Sequence, residues 1–354
     1  MIMYNLVLSV ETSCDDTSVA LVKSDGTVVG QLTASQDLQH SAFGGVVPEI
    51  ASRNHSIALL PLIDEILKKN NLTFENIDGF AVTNRPGLMG SLIVGVMTIK
   101  ALSQSLKKPF IGVNHLEGHL LAPFLKDEKY QPQLDFDYPY IALAVSGGHT
   151  SLYWVENFSK YTNIGTTKDD AAGEAFDKFA KMVGAGFPGG ASVDQCAKLG
   201  DKNKYDFPRS MVHEDHLMMS FSGLKSSAHR LISKMSLAEI AVEKNNLCAS
   251  FQEAVVDVLI LKLKLAAKKF QTKKIVITGG VSANSRLREK AVELSQKGFT
   301  VVIPPIRYCT DNAAMIGYAG ILRLNQNQSA NLNLGPSAAS LPDDFKINLD
   351  QAIT

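Results

Sequence analysis

The chain has 354 residues, 45% of them hydrophobic and 20% charged, a composition that excludes wholesale disorder and supplies a sizeable core. That length exceeds the usual single domain, so two cores are expected. Lysine plus arginine (35) balances aspartate plus glutamate (35), which excludes RNA capture by a global positive field; any RNA contact must use a local patch, and the near-zero net charge favours work within a complex.

Residues 1–10 are apolar but lack a basic leader and run into Glu11, which predicts a strand rather than a signal peptide. A polar turn at residues 14–16 follows, and residues 17–23 alternate into a second strand before Ser24-Asp25-Gly26. Residues 48–70 read as a helix and 79–83 as a buried strand. The glycine loop of residues 86–90 opens a helix over 91–106, and a strand at 109–114 closes the half.

Next comes His115-Leu116-Glu117-Gly118-His119. Imidazoles four residues apart share one helix face with Cβ atoms roughly 5–6 Å apart, a separation that suits two ligands of one metal. With eight histidines in 354 residues, chance placement supplies roughly 0.2 such pairs, so the spacing alone does not decide. A zinc-protease helix needs glutamate directly after the first histidine, and here Leu116 holds that place; Glu117 projects roughly 200° away from His115.

The second half repeats the plan. Residues 138–145 form a strand ending in the turn Ser146-Gly147-Gly148-His149, and 151–155 return. The helix of 237–270 precedes a strand at 274–278, a glycine loop at 279–284, a helix at 285–297 and a strand at 299–304. Both hairpin turns and both glycine loops fall at strand ends, where open α/β sheets place ligands. Glycines there admit phosphate oxygens to backbone amides, or simply make turns. Pro188-Gly189-Gly190, flanked by Asp177 and Asp194, behaves likewise, and those carboxylates suit ribose hydroxyls or the solvated face of a helix.

Lys262, Lys264, Lys268, Lys269, Lys273 and Lys274 read as the wet end of an amphipathic helix, with a grip on RNA phosphates as the alternative. Asp311 follows a strand at a helix start, where an N-cap and a metal ligand are equally good readings. The longest uncharged run, 138–155, is interrupted by its glycine turn, so no membrane span is expected. Cys14, Cys196, Cys248 and Cys309 form no CxxC pair and read as reduced thiols of a cytoplasmic protein.

The duplication predicts an α/β chain of two ribonuclease-H-like lobes, the plan of the actin-like ATPase (ASKHA) superfamily by fold-level analogy. Residues 1–134 form the first lobe, completed by a helix over 312–324, and 135–311 the second. Residues 114–123, with the histidine pair, and 169–221 are insertions, and 325–354, rich in Asn, Gln, Ser and Ala as far as residue 340, read as a flexible or partner-docked tail.

From about residue 6 to 323 the ordered segments resemble one family, the bacterial TsaD type of tRNA N(6)-adenosine threonylcarbamoyltransferase, related to a subunit of the KEOPS complex. The resemblance rests on Glu11-Thr12-Ser13-Cys14-Asp15-Asp16-Thr17, Gly44-Gly45-Val46-Val47-Pro48-Glu49, the HLEGH segment, Val145-Ser146-Gly147-Gly148-His149-Thr150, residues 169–178, Ser220-Phe221-Ser222-Gly223-Leu224-Lys225, residues 279–284 and Cys309-Thr310-Asp311-Asn312.

It implies that His115, His119 and Asp311 hold one divalent metal, iron(II) or zinc. It also implies that threonylcarbamoyl-adenylate, made by a TsaC-type synthase, binds through Ala144, Val145, Ser146, Gly147, Gly148, Asp177, Gly190, Asp194 and Asn284. The product is N(6)-threonylcarbamoyladenosine 3′ of the anticodon in tRNAs reading codons that begin with A, and TsaB and TsaE are the expected protein partners. Asp15 or Asp16 is the candidate for orienting the amine or taking its proton.

Three places depart from the pattern. Arg85 stands where glycine is usual, Ala191 replaces a common proline, and the tail lacks the usual closing basic and aromatic residues. A kinase or ATPase of the same fold would explain the glycine loops but not the histidines. A metallopeptidase would explain the histidines without its base, and a silent scaffold would bind partners without product.

Overall fold

The computed structural model describes residues 3–43, 45–341 and 344–347. Gly44 of the family motif and residues 342–343 and 348–354 of the expected tail lie outside them. The chain divides into two compact units, Met1–Leu134 with Arg307–Asp344, and Asp135–Ile306 with Phe345–Thr354.

In chain order the first unit begins with strands β1 (Leu6–Glu11), β2 (Thr17–Lys23) and β3 (Val28–Ala34), then α1 (Asp37–Ser41) and α2 (Pro48–Lys69). Strand β4 (Gly79–Arg85), α3 (Met89–Leu106), β5 (Phe110–Asn114) and α4 (His115–Leu121) follow. The sheet order is β3-β2-β1-β4-β5. The first three strands are antiparallel neighbours, and β1, β4 and β5 run parallel. Apart from their termini β1 and β2 are buried throughout, so they read as continuous apolar runs rather than alternating ones.

Pro48 opens α2, where a missing amide costs nothing, and Lys68 and Lys69 sit at its negative end. By length and composition α3 could cross a membrane. It packs against α2 and against β1, β4 and β5 of its own sheet.

The second unit contains β6 (Tyr140–Val145), β7 (Thr150–Asn157), β8 (Lys160–Thr166), α5 (Ala172–Val183), α6 (Gly189–Ala197), α7 (Ser222–Ile232) and α8 (Leu237–Lys269). Strand β9 (Lys274–Thr278), α9 (Ser285–Gln296) and β10 (Thr300–Val302) complete the repeat. With β11 (Lys346–Ile347) the order is β10-β9-β6-β7-β8-β11. The antiparallel β6-β7-β8 meander and the parallel β6-β9-β10 set reproduce the first sheet, as a duplication predicts. The α8 N-terminus carries a reciprocal cap between Ser236 and Glu239.

The short helix α10 (Ile306–Cys309) leads back to the first unit, where α11 (Ala313–Asn325) packs on β1, β2, β4, β5 and α4. This corrects two expectations. Asp311 belongs to the first unit rather than the second, because Ser9 Oγ donates to the Ala313 carbonyl (2.6 Å) and the Ala313 amide donates to Ser18 Oγ (3.0 Å). The tail as far as residue 341, with Asp344, is ordered on the same unit through backbone bonds such as Ala330 N to Phe110 O (2.8 Å) and Ser337 N to Asn84 O (2.8 Å).

Candidate functional site

At the end of β5, Asn114 caps α4 by accepting the Leu116 amide (2.8 Å). The helix then presents both imidazoles on one face, as the four-residue spacing predicts, with ring centroids 4.7 Å apart and planes at 89°. His115 Nε2 and His119 Nε2 are 3.1 Å apart, and Asp311 Oδ1 lies 3.3 Å from the first and 3.6 Å from the second. Both histidines are buried, while 28% of the Asp311 side chain is open to solvent, so the triangle has one accessible side.

The competing reading of Asp311 as an N-cap fails, because Asn312 takes that role and accepts the Met315 amide (2.9 Å). Glu117 points elsewhere, accepting Nη2 and Nε of Arg323 at 2.8 and 3.0 Å, so it is no protease base.

The triangle suits a metal on its own dimensions. Ligands held about 2.0–2.1 Å from a tetrahedral ion are separated by about 3.3–3.4 Å, close to the three distances found. His119 Nδ1 is buried without a hydrogen-bond partner among the described residues, so no such bond fixes the tautomer of this ring.

Behind His115 stands Glu11, the last residue of β1, which sequence reasoning passed over. Its Oε2 is 3.0 Å from His115 Nδ1 and also accepts Thr83 Oγ1, while Oε1 accepts the Ser13 amide at 2.5 Å. A carboxylate behind a metal-binding imidazole fixes its tautomer and its aim. The one available signal was a lone acid closing an otherwise apolar strand.

Burial alone would neutralise Glu11, but the charge and hydrogen bond of His115 hold its carboxyl below the ordinary range. Asp311 is likewise held low against its burial by both histidines. Burial disfavours a charge on His115, yet Asp311 and Glu11 together raise it well above the usual histidine value. Burial lowers His119. The cluster therefore demands a cation, and without a metal a proton on His115 supplies it.

Asp15 and Asp16 lie half-buried in the β1–β2 turn, at the same sheet edge as Glu11 and Asn114. Burial, then Asp15, then Asp311 push the Asp16 carboxyl up to about 7, a useful value for a base at neutral pH. His55 serves the turn rather than the chemistry. Its ring pairs with Thr17 Oγ1 (2.7 Å) and the Cys14 carbonyl (3.0 Å).

In the second unit the expected donor-binding residues gather at the ends of β6 and β9, which are parallel neighbours. Ala144 and Val145 end β6, and Ser146, Gly147 and Gly148 turn against the first residues of α5, with Gly173 N donating to Ser146 O (3.3 Å). Asp177 Oδ1 accepts the Gly189 amide (2.9 Å) and so fixes the start of α6 beside Gly190. Asp194 accepts the amide and hydroxyl of Ser285 at 3.0 and 2.7 Å. Asn284 caps α9 through the Leu287 amide (3.0 Å) and donates to Gln252 (2.7 Å).

The glycines here divide by physical role. A Cβ on Gly279 would stand 2.3 Å from the Val145 carbonyl oxygen at a backbone φ of 89°, and one on Gly189 would stand 2.5 Å from Asp177 Cα. A Cβ added at Gly147, Gly148, Gly190 or Gly280 would meet nothing within 4 Å, so packing inside this unit does not require glycine there. Those four leave open backbone where a ligand would approach.

The lysine run divides: Lys264, Lys268 and Lys273 are exposed, as the wet-face reading expects, and the other three bond to backbone carbonyls. Lys262 is buried and donates to the carbonyls of Glu214 (3.0 Å) and His216, Lys269 to Asp215 (2.7 Å), and Lys274 to Asp137 (3.0 Å). All four cysteines are free thiols.

Comparison with known proteins places the chain in a family. The chain is similar to the tRNA N6-adenosine threonylcarbamoyltransferase of Bdellovibrio bacteriovorus, 60% identical over 345 residues that cover 97% of this chain and 100% of the relative. It is 45% identical over 335 residues to that of Anaeromyxobacter dehalogenans, covering 94% and 98%. Among solved structures it resembles T. kodakarensis HypF (TM-score 0.62, 13% identity, 92% of this chain and 48% of the other). It also resembles the activator of the 2-hydroxyisocaproyl-CoA dehydratase from Clostridium difficile with bound ADPNP (TM-score 0.50, 14% identity, 93% and 99%). These likenesses concern the fold, which is that of the actin-like ATPases. A family model described as "TsaD: tRNA N6-adenosine threonylcarbamoyltransferase" matches residues 27–318, and the chain belongs to that family.

Proposed function

We propose that this chain, which transfers the threonylcarbamoyl group to the N6 amine of a tRNA adenosine, uses one divalent metal, iron(II) or zinc, held by His115, His119 and Asp311. The observation that carries the reading is the triangle of 3.1, 3.3 and 3.6 Å, aimed by Glu11 and open on one side. Two imidazoles and one carboxylate suit either ion. When bound, the metal supplies Lewis acidity and a template for the acyl oxygen.

The donor in this reading is threonylcarbamoyl-adenylate. The amine of the adenosine 3′ of the anticodon, in tRNAs reading codons that begin with A, attacks the carbamoyl carbon. The bond from that carbon to the phosphate oxygen breaks, AMP leaves with the electron pair, and Asp16 takes the proton lost by nitrogen. The open amides of Gly147, Gly148, Gly190 and Gly280 are assigned to the nucleotide part of the donor.

The first unit also exposes two apolar stripes, Ile57 and Leu60 on α2 and Met89, Ile93 and Met97 on the neighbouring α3. They support docking of a protein partner, assigned here to TsaB, with TsaE completing the assembly. The cytoplasm, where tRNA is met, is the proposed compartment, and the free thiols accord with it.

The test is reconstitution. Purified protein, partners, threonylcarbamoyl-adenylate and unmodified tRNA are combined with iron(II) or zinc, and digested nucleosides are weighed. His115→Ala and His119→Ala should lose bound metal and product together. A metal-free double variant that transfers at the full rate refutes the metal's role.

A further inference from the structure

Two of the sequence's departures, Arg85 and the tail, meet in space. Arg85 ends β4 and is largely buried, and its guanidinium grips the Asp344 carboxylate. Nε donates to Oδ1 at 2.9 Å and Oδ2 at 2.7 Å, Nη2 also reaches Oδ1, and Nη1 donates to Asn84 Oδ1 at 2.7 Å. The same Oδ2 accepts Asn114 Nδ2 and the Leu341 amide, each at 2.8 Å. Burial alone would raise the Asp344 carboxyl, but Arg85 holds it below the ordinary range, so the pair is ionic.

Asn114 is the hinge of this network. Its Oδ1 caps α4, and its Nδ2 is held by Asp344 and by Ser340 Oγ (3.2 Å). Rotating that amide to another position breaks three bonds, one of them charge-assisted. The next residue is His115, and α4 is a seven-residue helix, too short to hold its own conformation without caps and packing. The tail approaches along β4 and β5, with Asn84 Nδ2 donating to Gly335 O (3.1 Å), Gly87 N to Ala338 O (3.3 Å), and Leu334 seated on Gly112.

We infer that Arg85 and Asp344 form a clasp that closes the C-terminal tail over Asn114, making both positioning residues for the start of the histidine helix. The clasp rests on the metal reading for its effect on ion binding, but not for its effect on α4. Within the first turn of α4 the Glu117–Arg323 pair separately ties the helix to α11, so opening the clasp loosens Asn114 and its Leu116 cap and not the whole element.

The test compares the full chain with Arg85→Ala, Asp344→Ala, Arg85→Lys and Asp344→Asn. Three readouts are used: amide hydrogen exchange in metal-free protein, zinc affinity by competition with a chromophoric chelator, and thermal melting. The alanine variants are expected to exchange the Leu116 amide and the tail amides of Ser337 and Leu341 about tenfold faster. Their zinc affinity is expected to fall on the order of tenfold, as for other supporting partners of a metal site, with Arg85→Lys recovering part of both. If the alanine variants do not fold, the lysine and asparagine variants carry the comparison. Unchanged exchange at Leu116 and in the tail overturns the clasp. Faster exchange in a protein that binds neither zinc nor iron(II) keeps the clasp and overturns the metal reading.

Discussion

Glu11→Gln is the sharpest test of how the proposed metal corner is built, because the substitution keeps shape and changes only charge and hydrogen-bond polarity. Three groups face the carboxylate: the Ser13 amide, the Thr83 hydroxyl and His115 Nδ1. His115 Nε2 faces His119 and Asp311, so the proton of a metal-bound ring is assigned to Nδ1, and all three groups donate to Glu11. Glutamine offers one oxygen and one NH2. If its oxygen serves the Ser13 amide, the NH2 meets the Thr83 hydroxyl and the His115 N–H, forcing the hydroxyl to turn and the ring to tilt. If the oxygen is placed the other way, the NH2 confronts the Ser13 amide.

At least one hydrogen bond to a charged group is lost in either case, worth about 1.5–3 kcal/mol, which corresponds to about one to two decades of affinity. Zinc affinity measured by chelator competition should therefore fall on the order of ten- to a hundredfold, with transfer falling in parallel. The melting temperature of the metal-free protein separates this from global damage. A Glu11→Gln protein that binds zinc as wild type and transfers at full rate refutes the role given to Glu11.

Asp16 makes a pH prediction whose sign is fixed by the direction of its shift. In the fold its carboxyl is raised to about 7 from an ordinary 3.8, first by burial and then by Asp15 and Asp311, so the native state keeps a proton that the unfolded chain has lost. Stability should fall as pH rises from about 4 to about 7 and level off above, and Asp16→Asn should remove that fall in a melting series. Transfer by wild type should rise through pH about 7, whereas Asp16→Asn should be slow and flat; an unaltered pH profile contradicts Asp16 as the base. Gly148→Ala should melt as wild type and raise the KM for threonylcarbamoyl-adenylate, while Gly279→Ala, strained at a φ of 89°, should lose about 1–3 kcal/mol of stability. Equal melting of the two, or an unchanged KM for Gly148→Ala, counts against the division of the glycines. Met97→Glu, on the exposed stripe of α3, should abolish co-elution with TsaB without lowering the melting temperature; retained binding removes that face from the interface.

What the sequence disclosed was whatever local periodicity and spacing encode. The HxxxH pair was legible because a helix converts four residues into one face, and α2, α8 and α9 fell within a residue or so of their expected ends. Strands β3 and β8 were missed because they are mixed in burial, with polar or glycine positions at Gly30, Gln31, Thr33, Thr162, Asn163 and Gly165 that weaken any alternation. Asp311 was found but placed in the wrong unit, since the turn back at Arg307 depends on contacts from residues some three hundred positions earlier, Ser9 and Ser18. The tail failed for the reverse reason. Its composition says it cannot bury itself, which is correct, but its backbone and the Asp344 carboxylate find partners on β4 and β5 that composition does not register.

The same limit hid the partners of Glu11 and Arg85. Each closes a strand, and a charged residue in that place reads as a solvated strand end until the fold buries it beside a partner more than a hundred positions away, His115 for one and Asp344 for the other. Charges at the carboxyl ends of β1 and β4, together with the Asn114 cap at the end of β5, converge on one short helix because these three strands are parallel neighbours in a single sheet. Parallel order is thus what turns three unremarkable strand endings into the support of one histidine pair.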